Sequence, residues 1–254
     1  MKVLYKPAKY AEHEERKIKI SDSHWITIEN PTKDFSTQYG VVSKDLLKKK
    51  KATCSFKGET FYIFDANPLD IFPRFKRTMQ LITPKDAAAI IARTGITKKS
   101  VVIDAGSGSG GLACFLALHV KTVYSYDINE EAIAAARENA KLLGLKNVQF
   151  SLHDITKTIP KKNADLVVLD MLHAEQAISS VCAALKTGGY LVAYTPSITQ
   201  ALQFVNTALT HANLAFLSTM EIIERSWKVD GKILRPNTEG FGHSAFLTFI
   251  RKIN

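Results

Sequence analysis

The chain of 254 residues is 46% hydrophobic and 23% charged, values ordinary for one large or two modest globular domains and incompatible with disorder, collagen or coiled coil. Its apolar runs, such as Ala87–Ala92 and Leu166–Leu169, fall far short of the roughly 18 residues of a membrane-spanning helix. Lys2, Lys6 and Lys9 interrupt any secretory signal pattern, so a soluble, cytoplasmic protein is expected. Cys54, Cys114 and Cys182 are scattered, with no C-x-x-C pair; reduced thiols are expected, and neither a disulfide framework nor a metal site.

With 34 Lys and Arg against 24 Asp and Glu the net charge is +10, and the excess is localised. Residues 1–70 carry 13 basic against 10 acidic side chains, residues 71–100 carry 7 against Asp86 alone, and the remainder holds 14 against 13. A polyanion meeting the first hundred residues, with chemistry on something small in the rest, fits that map, and nucleic acid is the obvious candidate. The run Lys48–Lys51 reads equally as part of that surface or as a solvated turn between strands.

Along the chain, residues 1–70 show short alternating or aromatic runs at Lys17–Ile20, Trp25–Glu29 and Thr60–Phe64, broken by Asn30-Pro31, Gly40, Gly58 and Asn67-Pro68: a small β-domain. At Thr83-Pro84-Lys85-Asp86 a capping residue, a proline at the first helical position and an acid three residues after the cap announce a helix through Ala87–Arg93. Strands at 100–104, 122–126, 148–152, 165–170 and 190–194 then alternate with helices at 112–119 and 130–143, the latter closed by Gly144. This rhythm predicts a doubly wound, mostly parallel sheet covered on both faces. Runs at Ser218–Val229 and Ala245–Arg251, with no helix between, predict a terminal antiparallel pair at the sheet edge. The division expected is residues 1–70 as a β-rich domain that meets the polyanion, and 71–254 as the catalytic domain.

The most informative residues are Asp104-Ala105-Gly106-Ser107-Gly108-Ser109-Gly110-Gly111. After a buried strand, glycines let the backbone turn tightly and approach a ligand just before a helix N-terminus. Gly106, Gly108 and Gly111 also fit a dinucleotide fingerprint with Asp127 about 20 residues on, so a nicotinamide oxidoreductase is a rival reading. Asp104 tilts the choice: a carboxylate two residues before the first glycine repels a pyrophosphate but suits a cationic ligand without phosphate, such as S-adenosylmethionine. Asp127, followed by Ile128, is placed to accept from ribose hydroxyls, and Asp154, followed by Ile155, from an adenine amino group. All three acids fall at strand C-termini, where open α/β sheets bind ligands.

The chain resembles the tRNA (adenine-N1)-methyltransferases that act on the T-loop. The likeness is carried by Phe75–Gln80 with Pro84-Lys85-Asp86, the 104–111 loop, Tyr194-Thr195-Pro196 with Gln200, Glu224–Trp227, and Arg235-Pro236 followed by Gly242-His243-Ser244. It implies a small β-rich N-terminal domain ahead of a Rossmann-like class I methyltransferase domain, α/β with C-terminal antiparallel strands. It further implies S-adenosylmethionine as donor, tRNA as partner, a homotetramer, and methylation at position 58 with 57 as a further candidate. Where the family usually reads D-x-P-D-P-W, this chain has Asp170-Met171-Leu172-His173-Ala174-Glu175: the presumed catalytic carboxylate stays and the proline turn is replaced. A related activity, or a catalytically weak tRNA-binding subunit, is the alternative that this departure raises.

Asp170 is expected to accept from the exocyclic amino group of adenine and to stabilise the positive charge that methylation places on the purine. The Tyr194 ring is a candidate to stack on the target base, with a core tyrosine as the rival reading. Gln80 is expected to bond the donor's methionine moiety, and His243 to contact base or tRNA backbone. Arg77, Arg225 and Arg235 are candidate phosphate contacts. Trp25 and Trp227 are read as packing residues.

Overall fold

The computed structural model describes the whole chain except Glu14, Glu15, Lys232, Glu239, Gly240 and Phe241. It divides into two compact units, Met1–Arg74 with Ser226–Asn237, and Phe75–Arg225 with Thr238–Asn254. The first unit thus reaches past residue 70 and takes in a later stretch, which carries Arg235.

In the first unit, β1 (Lys2–Lys6), β2 (Lys9–His13), β3 (Arg16–Ser21), β4 (His24–Ile28), β5 (Phe35–Ser36), β6 (Val41–Val42), a single-turn α1 (Lys44–Leu47), β7 (Lys51–Phe56), β8 (Glu59–Asp65) and a short α2 (Pro68–Ile71) follow in order. An antiparallel sheet runs β4-β1-β8-β7. Alternation decides its faces: Leu4, Ile28, Phe61 and Ile63 point to one side, where Val42 and Leu47 complete a core. The other side presents Tyr5, Trp25 and Tyr62, opposite one another across three strands. Trp25 is 62% exposed and Trp227 56%. Neither tryptophan is buried in a core; Trp25 lies on the outward side of β4, where its ring meets Tyr5 and Phe64.

The second unit contains α3 (Pro84–Thr94), β9 (Val101–Ala105), α4 (Gly111–Ala117), β10 (Thr122–Asp127), α5 (Glu130–Leu142), β11 (Val148–Leu152), β12 (Ala164–Leu169), α6 (Ile178–Ala184), β13 (Leu185–Thr195), α7 (Ile198–Leu209) and β14 (Leu214–Met220). After the hairpin β15 (Trp227–Asp230) and β16 (Ile233–Pro236) of the first unit, β17 (Phe246–Lys252) completes it. The sheet order is β11-β10-β9-β12-β13-β17-β14. Six strands run in one direction, β9 to β13 pairing in parallel, and β17 runs against its neighbours β13 and β14. This is the class I methyltransferase arrangement. Beneath it Ile103, Leu169, Leu191 and Phe204 belong to one buried core, with β12 apolar on both faces as a central parallel strand requires.

Two local expectations change. The run at 218–229 is not one strand: β14 begins earlier and its ladder with β17 ends at Met220 opposite Leu247, after which the Lys85 ammonium binds the Ile222 carbonyl at 2.7 Å, outside any strand pairing. Thr83 stands at the N-cap of α3 without a side-chain cap bond; its hydroxyl donates to the Asp86 carboxylate at 2.8 Å instead. No helix among the described residues is long and apolar enough to cross a membrane.

The chain order reverses between β10 and β12 on either side of β9, which opens a crevice at the carboxyl ends of β9 and β12. The Asp170 amide closes its floor by donating to the Ala105 carbonyl at 2.8 Å.

Candidate active site

The glycine loop lies over that floor. Gly106, Gly108 and Gly110 have φ of +81°, +48° and +78°, the left-handed region that costs a side chain most. At Gly106 space is also decisive: a Cβ would lie 1.8 Å from the Asp170 carbonyl oxygen. The loop is clamped by Gly106 and Ser107 amides donating to the Tyr126 carbonyl at 3.0 and 3.2 Å. The Asp127 carboxylate binds it from the other side, accepting from the Gly108 amide at 2.9 Å and from the Asn129 amide at 2.9 Å.

A cleft with about 450 Å³ of empty space, open to solvent, follows the loop. Gly106 to Ser109, Gly111 and Leu112 form one wall, residues 79–82 another, and Asp170 the end. Residues 76–80 are held there by contacts that sequence reading missed. Buried Asn139 of α5 accepts from the Lys76 amide at 2.9 Å and donates to the Lys76 and Ser109 carbonyls at 2.9 and 2.8 Å. The Thr78 amide donates to the Ser109 hydroxyl at 2.8 Å. The missed signal was an asparagine at 139 in register with Ala132, Ala135 and Ala136 on the buried stripe of a helix. A polar side chain there must bind something.

The cleft's electrostatics are its most telling property. Asp104 is 1% exposed; one carboxylate oxygen accepts from the Ser125 hydroxyl at 2.6 Å, the other has no partner among the described residues. Burial, then the charges of Asp170 and Asp127, push its pKa up to about 7. Burial and Asp127 push Asp170 up to about 7 as well. No lysine or arginine lines the cleft among the described residues. A positively charged ligand relieves this crowding and a pyrophosphate aggravates it.

The other sequence-derived residues distribute unevenly. Gln80, Gly106, Ser107, Gly108, Ser109, Gly111 and Asp170 all line the cleft, and Gly110 packs its backbone against Ala136 of α5, where a Cβ would come within 2.8 Å. Ile128, next to Asp127, is 76% exposed, an apolar side chain free to cover a flat ring. Asp154 closes its own turn, accepting from the Thr156 amide and hydroxyl at 3.0 and 2.6 Å, and Ile155 is buried in the core. Arg77 is exposed beside the residues 79–82 wall, and Arg225 lies in the segment after β14.

Tyr194, at the end of β13, donates its hydroxyl to Asp86 at 3.3 Å; burial and the negative charges of Asp86 and Asp170 raise its pKa. Burial opposes ionisation of Asp86, but hydrogen bonds from Lys85, Ser244 and Thr83 hold its carboxyl below the usual range. Lys85 ties this group together, reaching Asp86 at 2.8 Å and Ser244 at 2.6 Å. His243 sits between two acceptors, Nδ1 2.8 Å from Glu221 and Nε2 3.1 Å from the Pro196 carbonyl. Glu221 first, then Pro196, raise its pKa, and the doubly protonated ring satisfies both contacts. His243 thereby straps the segment before β17 to the end of β13.

Beyond Asp170 a second pocket, about 350 Å³ of empty space, is lined by Met171, His173, Glu175, Thr195, Gln200 and Phe204 among others. The Thr195 hydroxyl and the Gln200 carbonyl oxygen are shielded from solvent and unpartnered among the described residues. The Met171–Glu175 segment that departs from the family pattern therefore forms a wall of a polar pocket, with Glu175 steadied by the Gln203 amide at 2.9 Å.

Residues 96–237 match a family model described as a methyltransferase domain. A relative in Methanocaldococcus jannaschii, the tRNA (adenine(57)-N(1)/adenine(58)-N(1))-methyltransferase TrmI, is 33% identical over 247 residues, covering 85% of this chain and 87% of that protein. The chain belongs to the TrmI family of tRNA (adenine-N1)-methyltransferases. Two solved structures share the fold: a SAM-dependent O-methyltransferase from Thermotoga maritima (TM-score 0.80, 22% identity, covering 100% of this chain and 93% of that one) and the tRNA (m1A58) methyltransferase TrmI from Aquifex aeolicus (TM-score 0.76, 23% identity, covering 100% and 97%). The family's glycine loop and its acid at 170 are thus set in a methyltransferase fold, as the sequence resemblance implies.

Proposed function

We propose that this TrmI-family methyltransferase transfers the methyl group of S-adenosylmethionine to N1 of adenine 58 in the tRNA T-loop, and of adenine 57 where that base is adenine, acting in the cytoplasm as a homotetramer. The observation that carries the reading is the donor cleft: a glycine cradle ending at Asp170, with buried Asp104 and Asp127 close enough to repel it and no basic side chain among its described lining residues. That is the charge pattern for a ligand bearing a sulfonium and an ammonium and no phosphate. It speaks against the nicotinamide alternative.

S-adenosylmethionine supplies an electrophilic methyl group on positively charged sulfur. Within this chain, Asp127 is placed to accept from ribose hydroxyls while its oxygens also hold the loop, Ile128 to cover the adenine ring, and Gln80 to bind the methionine end. Neutral adenine has a lone pair on N1, so no strong general base is required. Asp170, once ionised, accepts from the exocyclic amino group, orients N1 and stabilises the cation that methyl transfer creates. The pocket beyond Met171 offers polar atoms at Thr195 and Gln200, unpartnered among the described residues, to the edges of the extruded base, while the Tyr194 hydroxyl is held by Asp86 on the Asp170 side of β13. A T-loop base stacked within folded tRNA must leave its stack to reach this pocket, and Arg77, Arg225 and Arg235 are candidate holds on the displaced backbone.

Incubation of the protein with S-adenosylmethionine and unmodified tRNA, followed by digestion and mass analysis of T-loop fragments, tests the reading. N1-methyladenosine at position 58 is expected. No product despite tight donor binding rejects the assignment and leaves the non-catalytic subunit reading in its place.

A further inference from the structure

The outward side of the β4-β1-β8-β7 sheet carries a cross-strand row that the methyl-transfer site does not use. Thr53, Tyr62, Tyr5 and Trp25 stand opposite one another across the four strands. The row beside it runs Lys51, Phe64, Val3 and Thr27. Tyr5 and Trp25 have ring centroids 4.2 Å apart, Tyr5 and Tyr62 6.4 Å, and Trp25 meets Phe64 edge-on at 6.1 Å. At one end α2 and the residues after it cover the sheet, with the Thr27 hydroxyl donating to the Asp70 carbonyl and Arg74 donating to the Thr27 carbonyl. Val3 there is 1% exposed. The other end is open: Trp25 is 62% and Tyr62 44% exposed. Burying aromatic rings normally contributes more than any other side chain, so rings held in solvent on a rigid sheet are placed for a partner.

The charge beside them indicates which partner. The run Lys48–Lys51 leads into the edge strand β7, all four lysines are exposed, and Lys51 stands on the aromatic side directly opposite Phe64. Only Lys48 makes an ion pair, with Asp45, among the described residues. Flat rings flanked by an exposed ammonium group match the chemistry of unpaired nucleotides, whose bases stack on aromatic faces while their phosphates seek cations. A protein partner of ordinary composition has no comparable need for the lysine edge.

We propose that this side of the N-terminal sheet is a stacking surface for unpaired bases of the RNA substrate, with Trp25 and Tyr62 as platforms and Lys51 as a phosphate contact. The inference rests on the reading of the protein as a tRNA methyltransferase and adds a second contact to RNA, separate from the cleft that handles the target base.

The test measures affinity for unmodified tRNA, separately from turnover, for the protein and for Trp25→Ala, Tyr62→Ala, Trp25→Phe and Lys51→Gln. Loss of one stacked base is expected to weaken binding roughly 5- to 100-fold. Trp25→Phe should stay within about threefold of the parent, and Lys51→Gln should flatten the salt dependence by about one phosphate contact. S-adenosylhomocysteine affinity, melting temperature and mass by light scattering should not move. Parent-like tRNA affinity in both alanine variants overturns the inference while leaving the functional reading intact. A fall in mass in those variants also overturns it, assigning the surface to contact between copies of the chain. A parent protein that does not bind tRNA overturns the functional reading and the inference together.

Discussion

Asp104→Asn isolates the electrostatic strain of the donor cleft. The wild-type carboxyl is fully buried, with one oxygen bonded to Ser125 and the other unpartnered among the described residues, and its pKa stands at about 7 instead of 3.8. Because the folded state holds this proton more tightly than the unfolded chain, stability from this group is present at low pH and is lost as pH rises from about 4 to 7. At about 1.4 kcal/mol per pH unit the loss is roughly 2 kcal/mol at pH 5 and on the order of 4 kcal/mol above pH 7, an upper bound because neighbouring groups relax. Asparagine keeps the shape and an acceptor for Ser125 but never ionises. Urea unfolding of the donor-free protein should therefore show little difference between variant and parent near pH 4 and a variant more stable by about 1–4 kcal/mol at pH 8. Affinity for S-adenosylmethionine at pH 8 should fall, since one of the charges that attracts it is gone. A stability difference that does not vary between pH 4 and 8, or a variant that binds the donor as tightly as the parent, refutes the reasoning.

Other substitutions examine other parts of the site. Asp170→Asn should lower kcat by about 100-fold or more while S-adenosylhomocysteine still binds, measured by single-turnover methylation and calorimetry; an unimpaired kcat removes Asp170 from the chemistry. Gly106→Ala must place a methyl group 1.8 Å from the Asp170 carbonyl at a φ of +81°, so a loss of at least about 3 kcal/mol of stability and of donor binding is expected by thermal melting with and without ligand. Asn139→Ala leaves the Lys76 amide and carbonyl and the Ser109 carbonyl without their partner. A cost of about 1–3 kcal/mol for each group left buried should appear as faster amide exchange at residues 76–80, and Asn139→Asp should not restore protection, because an ionised carboxylate cannot donate to the two carbonyls.

Much of the catalytic unit was legible because its signals are local. Alternating short apolar strands and helices, a glycine loop after Asp104 and the helix closing at Gly144 need only chain-neighbour physics, and each reappears in the fold. What escaped depends on partners distant in sequence. Lys85, 137 residues from Ile222 and 159 from Ser244, takes its role from where β14 and β17 bring those residues, so its motif could be noticed but not explained. The strand expected at 218–229 misled because the hydrophobic pattern continues past Met220 while the pairing with β17 does not. Trp25 misled for a related reason: size argues for burial, but the alternation of its strand turns the ring to the outward side beside Tyr5. Asp154 was placed at a strand end correctly, yet the nearby Thr156 supplies its partners locally, which a strand-end rule cannot foresee.

The same carboxylates that make the donor cleft attractive to a cation also link its two tasks. In the protein alone, burial and Asp127 hold the Asp170 carboxyl near neutrality, with a pKa of about 7, and a protonated carboxyl is a poor acceptor for an adenine amino group. A positive charge arriving beside Asp170 acts in the opposite direction, favouring its ionised form. On the proposed reading, in which Asp170 receives the base, donor binding and deprotonation of Asp170 are therefore thermodynamically coupled: each must promote the other by the same factor. The consequence is an ordered readiness without any moving part, in which the side of the site that handles adenine acquires its charge when the methyl donor is in place. Proton release on binding S-adenosylmethionine at pH 6 to 7, read as a dependence of the calorimetric heat on buffer ionisation enthalpy, follows directly. Sinefungin, which carries an amine in place of the sulfonium and is cationic when protonated, should release protons too, whereas S-adenosylhomocysteine, with a neutral sulfur, should release fewer.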